Sequence, residues 1–104
     1  MYGLLITFES DTPVADLAEP FGEYAKALNA LPGLLNKAWL HDGNTLGGFH
    51  LFASKADADN YLASDLAQGL MATDGFHSFE ARGFEILADL SAQTGIGQLS
   101  ALAS

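Results

Sequence analysis

Residues 33 to 52, GLLNKAWLHDGNTLGGFHLF, hold the chain's one tryptophan, two of its three histidines and a tandem glycine pair inside an apolar run. Two β-rich arms, near 34–41 and 46–53, flank the turn-forming Asp42-Gly43-Asn44-Thr45, so the stretch reads as a hairpin. A turn of two or four residues sets Trp39 opposite Gly48, His41 opposite Leu46 and Lys37 opposite His50. Directly opposed residues share a face. Trp39, His41 and His50 then lie together, and Gly48 leaves open volume beside the indole. A three-residue turn instead sets Gly47 against Trp39 and sends His50 to the other face. The four residues Asp42 to Thr45 make a natural loop and favour the first register.

Outward from the hairpin, the order of elements settles the architecture. Tyr2, Leu4, Ile6 and Phe8 alternate along YGLLITFE (2–9), a first strand. Thr12-Pro13 resembles an N-cap with proline at the first helical position, and Leu17, Phe21, Tyr24, Leu28 and Leu31 recur at helical spacing. Pro20 lies inside that pattern, so the helix is kinked there or divides into a short turn and a main helix from about Glu19. Pro32-Gly33 ends it. Beyond the hairpin, Ser54-Lys55-Ala56-Asp57 starts a second helix in the manner of a capping box. Ala58, Tyr61, Leu62, Leu66 and Leu70 carry that helix to about Met71. Thr73-Asp74-Gly75 turns into FHSFEARGFEIL (76–87), a last strand in which Gly83 is a candidate bulge. The segment 91–104 is weakly patterned.

The order β-α-β-β-α-β is the ferredoxin-like split unit, an α+β fold with an antiparallel sheet covered by helices on one face, here expected as one domain over 1–104. A face left to water should alternate polar residues. GLLI and GGFHLF are instead apolar on both faces, which predicts a homodimer with its sheets packed face to face.

Composition narrows the function classes. There is no cysteine, which removes disulfides, thiolate catalysis and cysteine-ligated metals. Thirteen acidic against four basic residues give a net charge of −9, unsuited to phosphate backbones or anionic lipid. No apolar run approaches the ~18–20 residues that span a bilayer, and MYGLLITFES lacks the basic start of a signal peptide. The expectation is a cytoplasmic protein with neither nucleic acid nor membrane as partner. A shared histidine metal site fails on distance: His41 and His50 fall about four residues apart along the sheet, ~13 Å, too far for two imidazoles ~2 Å from one ion.

LPGLLNKAWLHD resembles the x-P-G-x-x-x-K-x-W segment of the YdhR-like monooxygenase family, in the dimeric α/β-barrel superfamily. LGGFHLFASKADADNYL is similar to that family's G-G-x-x-L-F and its acidic-capped helix with a Tyr-Leu pair. AEPFGEYAKAL resembles its first helix, and GFEILADLSAQTG its last strand and tail. The likeness covers roughly residues 2 to 95. It implies a homodimeric ferredoxin-like barrel with a pocket between sheet and helices. It also implies a cofactor-independent monooxygenase acting with O2 on a small phenolic or polycyclic aromatic compound. Other branches isomerise or act on lactones, and a non-catalytic small-molecule-binding dimer uses the same frame. His50 stands where family members commonly carry an aromatic residue, often tyrosine, and Asn36 replaces a frequent bulky residue.

On this reading His50 and Trp39 are the candidate catalytic residues, His50 as a base and Trp39 Nε1 or Asn36 as a donor to a developing oxyanion. Trp39, His41, Gly48, Phe52, Tyr24 and Tyr61 are candidates for contact with a hydrophobic or aromatic ligand. Neither metal nor cofactor is expected. Asn36 has the opposite parity to Trp39. Arg82, the only arginine, stands between Glu80 and Glu85 and suits a surface ion pair.

Overall fold

A computed structural model describes residues 1–96. Strand β1 (Tyr2–Ser10) leads through a 3-10 turn (Val14–Leu17) into helix α1 (Ala18–Leu28). The hairpin β2 (Leu34–Asp42) and β3 (Thr45–Phe52) follows, then helices α2 (Lys55–Ala63) and α3 (Asp65–Met71), strand β4 (Phe76–Glu85) and helix α4 (Ala88–Gln93). The sheet order is β2-β3-β1-β4 with every pair antiparallel, the ferredoxin-like arrangement. Residues 97–104 of the weakly patterned segment lie outside the described residues.

The hairpin closes through two residues, Gly43 and Asn44, rather than four, with Gly43 at φ +58°. The pairing is the even-turn register: Trp39 faces Gly48, His41 faces Leu46 and Lys37 faces His50. A register shift between Leu34 and Asn36 marks the irregularity at the start of β2.

Three local expectations need correction, and one open alternative is decided. Thr12 does not cap a helix; Ser10 Oγ accepts from the Thr12 amide at 3.0 Å and donates to its carbonyl at 2.8 Å, shaping the turn from the buried strand end. The second helix is broken at Ser64, whose extended backbone ends α2 while its side chain caps α3 by accepting from the Ala67 amide. Serine competes for nearby amides, so a helical spacing of apolar residues survives a break that the periodicity does not reveal. The β4 irregularity lies across from Thr7–Glu9, where Ser78 takes φ +60°, not at Gly83. Gly83 instead lets the Tyr2 ring lie flat on the strand, where a Cβ would collide with it. Pro20 falls in the first turn of α1, where a missing amide costs nothing, so the split rather than the kinked arrangement holds.

Ser54 caps α2 as the residues suggest: its Oγ accepts from the Asp57 amide at 3.2 Å and donates to the Asp57 carboxylate at 2.9 Å. On the helix-covered face of the sheet the core is in two parts. Leu4, Ile6, Leu28, Phe52, Ala58, Tyr61 and Ala67 form one, and Phe8, Leu17 and Leu46 the other, with Phe79 packed against both. The opposite face carries Leu5, Ala38, Leu40, Phe49, Leu51 and Phe84, set there by the register, with Leu40 and Phe84 about two-fifths exposed. Arg82 lies on this face with its guanidinium 5.0 Å from the Phe84 ring centre and enters no ion pair among the described residues. Among the described residues no helix is long and apolar enough to cross a membrane.

The close approach of β1 and β3 yields a paired prediction. A Cβ at Gly47 would strike the Ile6 carbonyl, whereas one at Gly22 in α1 meets nothing within 4 Å. Gly47→Ala should lower unfolding stability by about 1–3 kcal/mol, and Gly22→Ala should raise it by about 0.5–1 kcal/mol, both read from urea denaturation.

Candidate functional site

Between the two parts of the core lies a slender cleft, open on one side, whose space of about 360 Å³ includes its mouth to solvent. Its floor is the sheet at Ile6, Phe8, Gly47, Gly48 and His50; its walls are Phe21 and Tyr24 from α1, Tyr61 from α2, Leu70 from α3, and Lys37 with Trp39 from β2. With Lys37 in place, the interior admits little more than one water molecule.

Trp39 forms the lip. It is 42% exposed, and its ring packs against Phe21 at 5.3 Å and edge-on to Tyr24 at 6.4 Å between centroids. The volume expected beside the indole at Gly48 is not empty. A Cβ there would run into Lys37 Cε, and would stand 3.3 Å from Lys37 Nζ and 3.2 Å from His50 Cε1. Glycine at 48 thus makes room for the Lys37 butyl chain, which carries Nζ to 3.6 Å from the indole centroid and 5.4 Å from that of Tyr24. No carboxylate pairs with Lys37 among the described residues. Burial disfavours its charged form and lowers its pKa to about 8.

His50 is 1% exposed on the cleft floor. Its Nδ1 lies 3.0 Å from the Leu4 carbonyl. A carbonyl only accepts, so Nδ1 carries the proton and Nε2 keeps a bare lone pair. That Nε2 is buried and has no hydrogen-bond partner among the described residues. Burial first, and the neighbouring Lys37 charge second, push the His50 pKa down to about 4, with the Leu4 and then the Gly48 backbone offsetting part of the shift. The imidazole is therefore a neutral acceptor at physiological pH. Above it, the Tyr24 and Tyr61 hydroxyls meet at 2.6 Å. Burial raises both phenols' pKa values, and Tyr24 is raised further by this hydrogen bond.

Of the candidates read from the sequence, Trp39, Gly48, His50, Tyr24 and Tyr61 border the cleft. His41 is exposed toward the hairpin end and does not line it. Phe52 is fully buried on the same face of β3, two residues along under α2, with its ring 6.1 Å from that of His50, and does not line the cleft. Asn36 pairs with Leu51 on the opposite face of the sheet, as its parity indicates. The residue that sequence reasoning passed over is Lys37. Its signals were present, both as the Lys of P-G-x-x-x-K-x-W and as the partner of His50 in the register. Among the described residues no group of three His, Asp or Glu side chains is arranged to hold a metal ion.

The family model described as "Putative mono-oxygenase ydhR" matches residues 4–96. No curated protein matches the chain's sequence. A crystal structure of a protein of unknown function from Nitrosomonas europaea is similar at 26% identity and TM-score 0.62, over 83% of this chain and 88% of that one. SnoaB, a cofactor-independent oxygenase from Streptomyces nogalater, is similar in fold at 15% identity and TM-score 0.67, over 82% and 91%. A putative antibiotic biosynthesis monooxygenase from Deinococcus radiodurans is similar in fold at 14% identity and TM-score 0.64, over 83% and 92%.

The state of His50 has a consequence for stability. Its pKa is depressed from 6.5 to about 4 on folding, so between those values the unfolded chain binds a proton that the folded chain refuses. Stability should therefore fall as pH drops through this window, by up to about 3 kcal/mol from this group. The wild type minus His50→Phe difference in unfolding free energy, measured against pH in urea, should show that loss. A difference that stays flat from pH 6.5 to 4 contradicts the buried neutral state.

Proposed function

The chain belongs to the ydhR mono-oxygenase family, and on that premise we propose that it oxidises a small phenolic or polycyclic aromatic compound with O2, without flavin or metal. The observation that carries this reading is the cleft itself: aromatic and apolar walls around a buried imidazole nitrogen that lacks a partner. Such a site suits a flat apolar ligand with a polar edge. The fold likeness to a protein described as a cofactor-independent oxygenase supports the same class.

In the proposed reaction an activated methylene, as in an anthrone, reacts from its enol tautomer. The enol hydroxyl gives its proton to His50 Nε2 to leave an enolate, and the imidazole returns that proton to the peroxide. The enolate carbon gives electrons to O2 and forms a C–O bond, and the resulting hydroperoxide loses water as the carbonyl forms. One oxygen atom enters the product and the other leaves as water. All four electrons come from the substrate methylene. The protein's share is orientation, exclusion of water and control of one proton. The plane of Trp39, with Phe21 and Tyr24, holds the rings, and His50 Nε2 accepts the hydrogen of a substrate hydroxyl. With a pKa near 4, His50 acts on an already acidic proton, because a buried imidazolium beside Lys37 is disfavoured.

The assembly belongs to the same proposal. A homodimer packed through the Leu5, Leu40, Phe49 and Phe84 face covers an apolar sheet surface that one subunit leaves partly exposed. Sedimentation at micromolar concentration should give a dimer, and Leu40→Glu combined with Phe84→Glu should give a monomer.

Oxygen uptake with a panel of anthrones and naphthols tests the activity. Turnover is expected with at least one anthrone, with water and the quinone formed in equal amounts, and His50→Phe should lower it by about tenfold or more. Ligand binding without any oxygen consumption would identify a non-catalytic binding dimer, and a rearranged product with no oxygen added would place the chain among the isomerases.

A further inference from the structure

Among the described residues Lys37 is the only cationic side chain that borders the cleft, and none of them supplies it with a negative partner there. The titratable groups that face it are His50 on β3, Tyr24 on α1 and Tyr61 on α2. None of these is an anion at neutral pH: burial keeps the imidazole uncharged and both phenols protonated. An ammonium so placed rests on aromatic faces, chiefly the indole and secondarily Tyr24, which are weak partners compared with an oxyanion. Beside it, His50 Nε2 is an acceptor that lacks a donor. Both groups flank the same spot above Gly48, Nζ at 3.3 Å and the imidazole Cε1 at 3.2 Å from where a Cβ would stand. The site therefore presents, side by side, a donor cation in want of an anion and an acceptor in want of a hydroxyl.

We infer that Lys37 is the specificity-determining residue of this cleft, and that its ligand is a planar aromatic carrying an oxyanion next to a hydroxyl group. This rests on the cleft's being an aromatic-ligand site, as proposed above, and adds the class of polar edge the ligand must carry. The flexible Lys37 chain is also what narrows the cleft. On binding, Nζ leaves the indole face to meet the oxyanion, the ligand ring takes its place against Trp39, and the adjacent hydroxyl donates to His50 Nε2. Each polar group then gains the partner it lacks in the empty protein. A neutral aromatic would displace the cation from the indole with nothing to offer it in return. An aromatic anion without the hydroxyl would leave Nε2 buried and unpaired. The arrangement suits oxidation chemistry, since an enolate or phenolate is the electron-rich form that O2 attacks, but binding does not depend on turnover.

Three naphthalenes separate these terms: 1-hydroxy-2-naphthoate has both groups, 2-naphthoate only the anion, and 1-naphthol only the hydroxyl. Affinity is read by calorimetry and by quenching of Trp39, the sole tryptophan. At pH 7 the wild type should prefer 1-hydroxy-2-naphthoate to either of the others by about tenfold or more. Lys37→Met should reduce its affinity to that of 1-naphthol, while Lys37→Arg keeps most of it. His50→Phe should erase its advantage over 2-naphthoate while leaving anion binding in place. Affinity in the wild type should weaken as pH rises above about 8, where Lys37 loses its proton, and Lys37→Arg should remove that dependence. Lys37→Met relieves a buried charge, so its urea midpoint at pH 7 should equal or exceed the wild type's, which separates lost binding from lost folding. Equal affinity for the three compounds, undiminished binding by Lys37→Met, or no binding of 1-hydroxy-2-naphthoate at millimolar concentration would each overturn the inference. Retained anion selectivity without oxygen uptake from any substrate overturns the oxygenase reading alone, and full oxygen uptake by Lys37→Met overturns this inference alone.

Discussion

The cleft depends on the pairing of Trp39 with Gly48 across the β2–β3 hairpin. A side chain at 48 would fill the sheet surface beneath the indole and unite the two parts of the core. Glycine leaves that space to the Lys37 butyl chain instead, and the lysine, unlike a core residue, is long, flexible and charged at its tip. The sheet thus gains one movable wall among rigid ones. That wall brings a charge into a region where His50, two rungs along β3, has already been stripped of water.

The electrostatics of the two residues are joined. Each is pushed toward its neutral form by burial, and the lysine charge presses the imidazole further the same way. The Leu4 carbonyl then selects which imidazole nitrogen is left bare. Phe52 and Tyr61 flank the imidazole, and Tyr61 is itself held by its hydrogen bond to Tyr24. The result is an acceptor and a donor that no other described residue pairs, set together in one apolar cleft, an arrangement that a ligand with the complementary pair would relieve.

Much of this was visible in the residues because strand pairing is arithmetic. Once the turn residues centre the hairpin, the rule that opposed residues share a face places Trp39, Gly48 and His50 together and excludes Asn36. The order of apolar periods settles the sheet order in the same way, and the Pro-Gly after α1 and the Ser54 box mark helix ends whose partners are three residues away or fewer. Where the deciding contacts are local but ambiguous, the expectation failed. Ser10 rather than Thr12 shapes the first turn, Ser64 breaks what periodicity reads as one helix, and Gly83 serves a ring crossing from Tyr2 instead of a bulge.

The pattern of apolar, aromatic and glycine residues along 33–52 was enough to favour the hairpin, its register and the face that carries Trp39 and His50. That follows from a period of two and a turn of even length. It could not say what fills the space at Gly48. A long side chain two rungs from its own Cα goes where packing from α1 and α2 leaves room, and those helices are set by the rest of the chain. For the same reason His41 and Phe52, on the correct face, lie outside the cleft: one beyond its open end, the other sealed under α2. Alternation assigns a face, but depth, neighbours and the desolvation that shifts a pKa exist only once the helices have closed over the sheet.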